Sequence, residues 1–163
     1  MPKPHFSFHS TKTKIPTSVD ALYHFHLEPK NIPLISPSFL KLKSIDVNQQ
    51  KTPHIKLCVS IFGIAQYWEV NWGSNKKPSI SEPDAASIQD IASKLPFPFT
   101  SWIHTHQFIK SENTNQSYLT DTIQYDIKGG PLKYLLFPFI EIGFRILFRY
   151  RHQATINYFA KNT

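Results

Sequence analysis

Two histidines one residue apart stand between bulky aromatics in the segment Trp102-Ile103-His104-Thr105-His106-Gln107-Phe108. In an extended chain alternate side chains share a face, so Trp102, His104, His106 and Phe108 point together. A second alternating stretch puts Asp121, Ile123, Tyr125 and Ile127 on one face of the next strand. The bracketing Trp and Phe mark that face as the inner one. Two imidazoles, a carboxylate and a phenol then sit in an otherwise apolar interior. Such groups are costly to bury unless they pair with one another, with water or with a ligand.

Three chemistries fit this set. The polar groups can satisfy each other and fix strand register. They can instead anchor the polar end of a ligand in an apolar pocket, since pockets combine greasy walls with a few placed polar groups. An acid–base enzyme using His104 or His106 with Asp121 is a variant of that second reading. In the third, His104 and His106 bind a metal as a His-x-His pair, with Asp121 as the third donor in space. The sequence shows no further ligand, and the expectation is that neither a metal nor another cofactor is required.

Other chemistry-bearing residues say less. Cys58 is the sole cysteine, so it reads as structural, and neither a disulfide nor a cysteine zinc cluster is available. His24 and His26 read as surface or boundary residues of a short helix. Glu141, Arg145 and Arg149 recur every four residues and read as an exposed helical stripe. The chain has no phosphate-cradling glycine loop and no nucleophile elbow.

The elements that position these residues follow from periodicity. An opening β-like stretch covers Phe6 to Ile15. Thr17-Ser18-Val19-Asp20 reads as a capping box with the Thr17 hydroxyl as acceptor, starting a helix that carries Val19, Leu22, Tyr23 and His26 on one face and ends before Pro29. A further turn is expected over Asn31 to Ser36, then a strand from Phe39 to Val47. Ile55, Leu57, Val59 and Ile61 alternate, Gly63 interrupts, and Trp68, Val70 and Trp72 resume. Gly73-Ser74-Asn75 with Pro78 predicts a turn, and Ala86 to Ser93 a weaker strand. Trp102–Lys110 and Leu119–Lys128 form the clearest hairpin. After Gly129-Gly130-Pro131 the spacing becomes helical to Lys161, with Pro138 as a kink or as the true start.

The chain of 163 residues has the size of one domain, spanning 1–163, and its 40% apolar content argues against disorder. Aromatics at 14% fit either a bulky core or a ligand cavity. The net charge of +7 comes from basic residues scattered along the chain without a long run. A solvated basic surface accounts for it, with weak contact to an anionic membrane surface as the alternative; nucleic acid is not an expected partner. The amino terminus lacks the apolar core of a signal peptide, and Pro131–Tyr150 is too charged to span a bilayer. A cytoplasmic monomer or homodimer is expected.

Taken together, Ile15-Pro16-Thr17-Ser18, Leu22-Tyr23-His24-Phe25-His26, Asn31-Ile32-Pro33 and the Trp-x-His-x-His-x-Phe block resemble a bacterial branch of the SRPBCC superfamily, which includes START and polyketide cyclase/dehydrase proteins. The resemblance runs over nearly the whole chain and includes the spacing of Asp121 and Tyr125. It implies an α+β helix-grip fold: a curved antiparallel sheet of about seven strands around a long C-terminal helix, with a cavity between them. It further implies binding or transport of a hydrophobic small molecule such as a lipid, an isoprenoid or an aromatic polyketide-like compound. On that reading Trp68, Trp102, Phe108, Ile123, Phe144 and Leu147 form apolar walls, while His104, His106, Asp121 and Tyr125 orient a polar head. A cyclase or dehydratase, and an interaction protein with a filled core, remain the alternatives.

Overall fold

A computed structural model describes residues 4–38, 40, 54–61, 64–79, 81–112 and 115–162. The opening stretch divides into β1 (Phe6–His9) and β2 (Thr13–Ile15), both paired with β7 (Ser117–Ile127). Between them and the rest lie α1 (Val19–Leu27) and a 3-10 turn over Pro29–Ile35. The remaining strands are β3 (His54–Ile61), β4 (Ile64–Lys76), β5 (Ala85–Lys94) and β6 (Phe99–Lys110). They complete one curved antiparallel sheet in the order β1-β7-β6-β5-β4-β3, with β2 also on β7. The last element, α2 (Lys133–Lys161), lies across the inner face, and the whole is a seven-stranded helix grip.

Local expectations need three corrections. The cap of α1 is Ser18, one residue later than the sequence placed it: its Oγ accepts from the Ala21 amide at 3.2 Å. Thr17 instead ties the helix entry to the sheet, its carbonyl accepting from Ser117 Oγ at 2.9 Å. The expected turn at Gly73-Ser74-Asn75 is absorbed into β4 as a register shift between Trp72 and Asn75. Gly73 serves close packing there, since a Cβ would come within 3.1 Å of Gln89 Oε1 and 3.2 Å of Ile91 Cδ1. Finally, α2 starts at Lys133 after a short 3-10 turn and runs through Pro138, which sits inside the helix. The strand expected over Phe39–Val47 lies outside the described residues apart from Leu40.

Helix α2 buries Phe144, Phe148, His152 and Thr155, a face repeating every three to four residues. Its opposite face is also apolar: Leu135, Phe139, Ile142 and Ile146 are exposed. Among the described residues no helix is long and apolar enough to cross a membrane.

The start of α2 is fixed by Asp126. Its Oδ1 accepts from the Ile127 amide at 2.9 Å and from Lys133 Nζ at 3.3 Å, while Oδ2 lies 3.1 Å from His5 Nδ1. Burial opposes its ionisation, but these donors prevail and hold its pKa below the ordinary 3.8. A carboxyl depressed on folding contributes stability above its unfolded pKa, and that stability is lost as pH falls through the folded value. Asp126→Asn should therefore cost about 1 kcal/mol at neutral pH. Urea denaturation across pH should show the difference closing as the pH is lowered through 3.8.

Candidate ligand-binding site

A row of polar side chains crosses the inner face of the sheet. On β5, Asp90 stands at the inward position between Ile88 and Ala92. On β6, His104 and His106 stand between Trp102 and Phe108, and on β7 Asp121 stands between Leu119 and Ile123. Strand register aligns them, with Asp90 opposite His104 and His106 opposite Asp121. Apolar packing closes both sides of the row: Ile88, Phe108 and Leu119 belong to one cluster, Ala92, Trp102 and Ile123 to another. From α2, His152 completes the row one helical turn after Phe148.

Asp121, only 2% exposed, is the hub. Its Oδ1 lies 2.8 Å from His104 Nε2 and 2.6 Å from His106 Nδ1, and its Oδ2 lies 2.5 Å from His152 Nε2. The His106 approach is short yet poorly aligned for an N–H···O bond. The other nitrogen of His152 meets Thr13 Oγ1 at 2.7 Å. The Asp121 backbone is held as well: its amide donates to Ser10 Oγ at 2.8 Å, and its carbonyl accepts from the Ser10 amide at 2.9 Å. On the other side of the row, Asp90 Oδ2 lies 3.0 Å from His104 Nδ1, and Trp102 Nε1 donates to Asp90 Oδ1 at 3.3 Å.

These partners set the charges. Burial works against a charged His104, but Asp90 and Asp121 outweigh it and raise the pKa to about 9. Burial and then the neighbouring His104 charge lower the pKa of His106. His26 is driven down to about 3, chiefly by burial. Asp121 stays ionised well below the usual range: burial pushes it upward, and the surrounding imidazoles overcome that. At neutral pH the row thus sets a histidinium at His104 beside a neutral imidazole at His106.

A cavity of about 120 Å³ opens between this row and α2. All three tryptophans of the chain, Trp68, Trp72 and Trp102, line it, with Phe25, Ile55 and Val70 among its apolar walls. Asp90, His104, His106 and Arg151 make its wall polar at the row, and Glu28, Asn31 and Ser36 add polar groups where the 3-10 turn meets it. The indole N–H groups of Trp68 and Trp72 are buried and have no acceptor among the described residues.

Of the residues singled out from sequence, Trp68, Trp102, His104, His106 and Leu147 line this cavity. Asp121 lies behind the imidazoles. Phe108 packs against the rings of Tyr23 and His26, and Ile123 is fully buried in the sheet-side core. Phe144 fills space against Phe8, Phe99, Trp102 and Tyr125. The Tyr125 hydroxyl donates to Glu141 Oε1 at 3.0 Å, so Glu141 is a half-buried partner and not part of an exposed stripe, although Arg145 and Arg149 are exposed. His26 is a second correction: it is 8% exposed, with its ring 5.2 Å from that of His106, while His24 is on the surface.

Asp90 and His152 escaped the sequence reading. Each left a signal: Asp90 occupies the inward phase of Ala86, Ile88 and Ala92, and His152 continues the four-residue spacing of Phe144 and Phe148.

No protein-family model matches the sequence, and no curated protein matches it either. Solved structures do match in three dimensions. A START superfamily protein from Mycobacterium smegmatis aligns over 96% of this chain and 99% of its own, with TM-score 0.61 and 13% identity. The Zhui aromatase/cyclase from a Streptomyces species aligns over 96% and 95%, with TM-score 0.68 and 9% identity. The chain has the START-type helix-grip fold. Truncated norcoclaurine synthase from Thalictrum flavum shares this START-type fold at TM-score 0.69 and 10% identity, covering 97% of this chain and 96% of its own. Identities this low establish shared architecture and leave function to the site.

Removing the hub should expose what it compensates. Asp121→Ala leaves three buried imidazoles without their acceptor and should cost about 3 kcal/mol or more. Asp121→Asn, which keeps the volume and one acceptor, should cost less. Chemical denaturation of the two variants beside wild type gives the comparison; equal losses would show that the charge, not the volume, is what matters.

Proposed function

We propose that this START-type chain binds an apolar or amphipathic small molecule in the cavity between sheet and α2, as a carrier or sensor. The observation that carries the reading is the composition of the cavity wall: aromatic and aliphatic around the body, with buried, unpaired indole donors and a charged end at Asp90, His104 and Arg151. That combination suits a ligand with a greasy body and an oxygen acceptor. Volume narrows the class. About 120 Å³ approaches the size of cavities of about 150 Å³ that take up a benzene ring. A compact aromatic or cyclic compound is therefore favoured over a long acyl chain held whole. The cyclase and norcoclaurine synthase folds support an aromatic ligand by analogy alone.

One observation favours a second reading, acid–base catalysis. His106 stands on the cavity wall with Asp121 behind it, the relation of a general base to its orienting carboxylate. A carrier and an enzyme differ in outcome: a bound carbonyl compound would be released unchanged by the first and converted by the second, with His106→Gln abolishing conversion.

Because every tryptophan faces the cavity, occupancy must change indole emission. Titration of the purified chain with 2-naphthol should shift or quench that emission to saturation at one equivalent. Val70→Phe, which fills the cavity from β4, should weaken binding at least tenfold while leaving a cooperative melt. Unchanged affinity in that variant, or no emission change in wild type together with a ligand-free native mass, would remove the cavity from the account.

A further inference from the structure

We propose that Asp90, His104 and His106 form a site for one divalent transition-metal ion of the zinc or ferrous class, with its open positions facing the cavity. The sequence suggested Asp121 as the third donor to the histidine pair; the structure assigns that place to Asp90. One donor atom from each of Asp90, His104 and His106 lies within 4.8 Å of the others. Asp90 Oδ2 is 3.0 Å from His104 Nδ1 and 4.0 Å from His106 Nε2. Around an ion with bonds of about 2.0–2.2 Å, neighbouring donors stand roughly 3 to 3.5 Å apart. Small side-chain rotations bring the three to that spacing.

The surroundings point the same way. Asp121 stands behind both imidazoles on the side away from Asp90: its Oδ1 is hydrogen-bonded to His104 Nε2 at 2.8 Å and lies 2.6 Å from His106 Nδ1 without the alignment of a hydrogen bond. A carboxylate behind a metal-binding imidazole fixes the ring and raises its basicity. His152, itself bonded to Thr13, then holds Asp121, and the Trp102 indole holds the Asp90 oxygen that is not needed as a donor. All three donor residues line the cavity, so water or a ligand oxygen has access to the remaining positions. Two imidazoles and one carboxylate select borderline divalent ions over calcium or magnesium, which prefer all-oxygen sites, and over copper(I), which prefers sulfur.

The site is tested with the ion alone, independently of any organic ligand. Full-length chain stripped with chelator is titrated with Zn²⁺ by calorimetry and with Co²⁺ by visible absorption. The expected result is one equivalent bound with micromolar or tighter affinity, and an intense Co²⁺ ligand-field spectrum that Zn²⁺ abolishes. Asp90→Asn and His106→Gln should each weaken binding at least 100-fold. Asp121→Asn should weaken it about 10- to 100-fold through the orientation of the rings. His54→Gln, at a half-buried pair with Glu69 outside the proposed site, should leave it unchanged. Absence of stoichiometric binding, or a Co²⁺ spectrum like that of the hydrated ion, overturns the proposal on wild type alone, so variants that fold poorly do not rescue it. Undiminished binding in Asp90→Asn or His106→Gln overturns it too. Lost Zn²⁺ binding with intact 2-naphthol binding would remove the metal and leave the cavity reading standing.

Discussion

A carboxylate withdrawn from water must find its compensation inside the protein, and Asp121 finds it from three directions. His104 and His106 reach it from the adjacent strand, His152 from the C-terminal helix, and Ser10 from the segment joining the first two strands. Slipping β6 by one residue against β7 would send both imidazoles to the outer face. Rotating α2 by one residue would carry His152 off the row. The position of every inner element is thereby tied to one ionised side chain.

The same constraint explains why a cavity exists at all. The sheet offers two apolar clusters separated by the polar row, and α2 packs onto both, through Phe144 and Phe148 on one side and Ile156 and Phe159 on the other. Over the row itself the helix contributes His152 and Arg151, whose polar ends prevent the dense interdigitation seen elsewhere. Large, rigid indoles then line the space and do not collapse into it. Ligand access and polar satisfaction are therefore two aspects of one arrangement.

Much of this could be read from the residues. The β6–β7 hairpin, the inward phase of Trp102, His104, His106 and Phe108, and the length of α2 follow from periodicity alone. What could not be read depends on long-range pairing. Asp90 lies in a strand whose alternation is blurred by Ile91 on the outer phase and by its own charge on the inner one, so its inward phase is only a weak signal until β5 pairs with β6. His26 is on a short helix whose burial depends on what covers it, and Glu141 looks like one charge of a stripe until Tyr125 is found beneath it. The shift from Thr17 to Ser18 at the helix cap is local competition, since the Thr17 carbonyl is drawn to Ser117. Gly73 misled because glycine marks turns and close packing alike.

The row collects its members from across the chain, beginning with Ser10 and Thr13 and ending with His152. During vectorial synthesis the amino-terminal strands emerge long before β7, their only pairing partner among the described residues. Asp121 follows, with His104 and His106 already made, but its third imidazole stands well past the middle of α2 and emerges later still. The nascent chain must therefore postpone closure of its interior until α2 has been made. Whatever occupies that interior enters a sheet that already has its helix, and is not threaded in as the strands form.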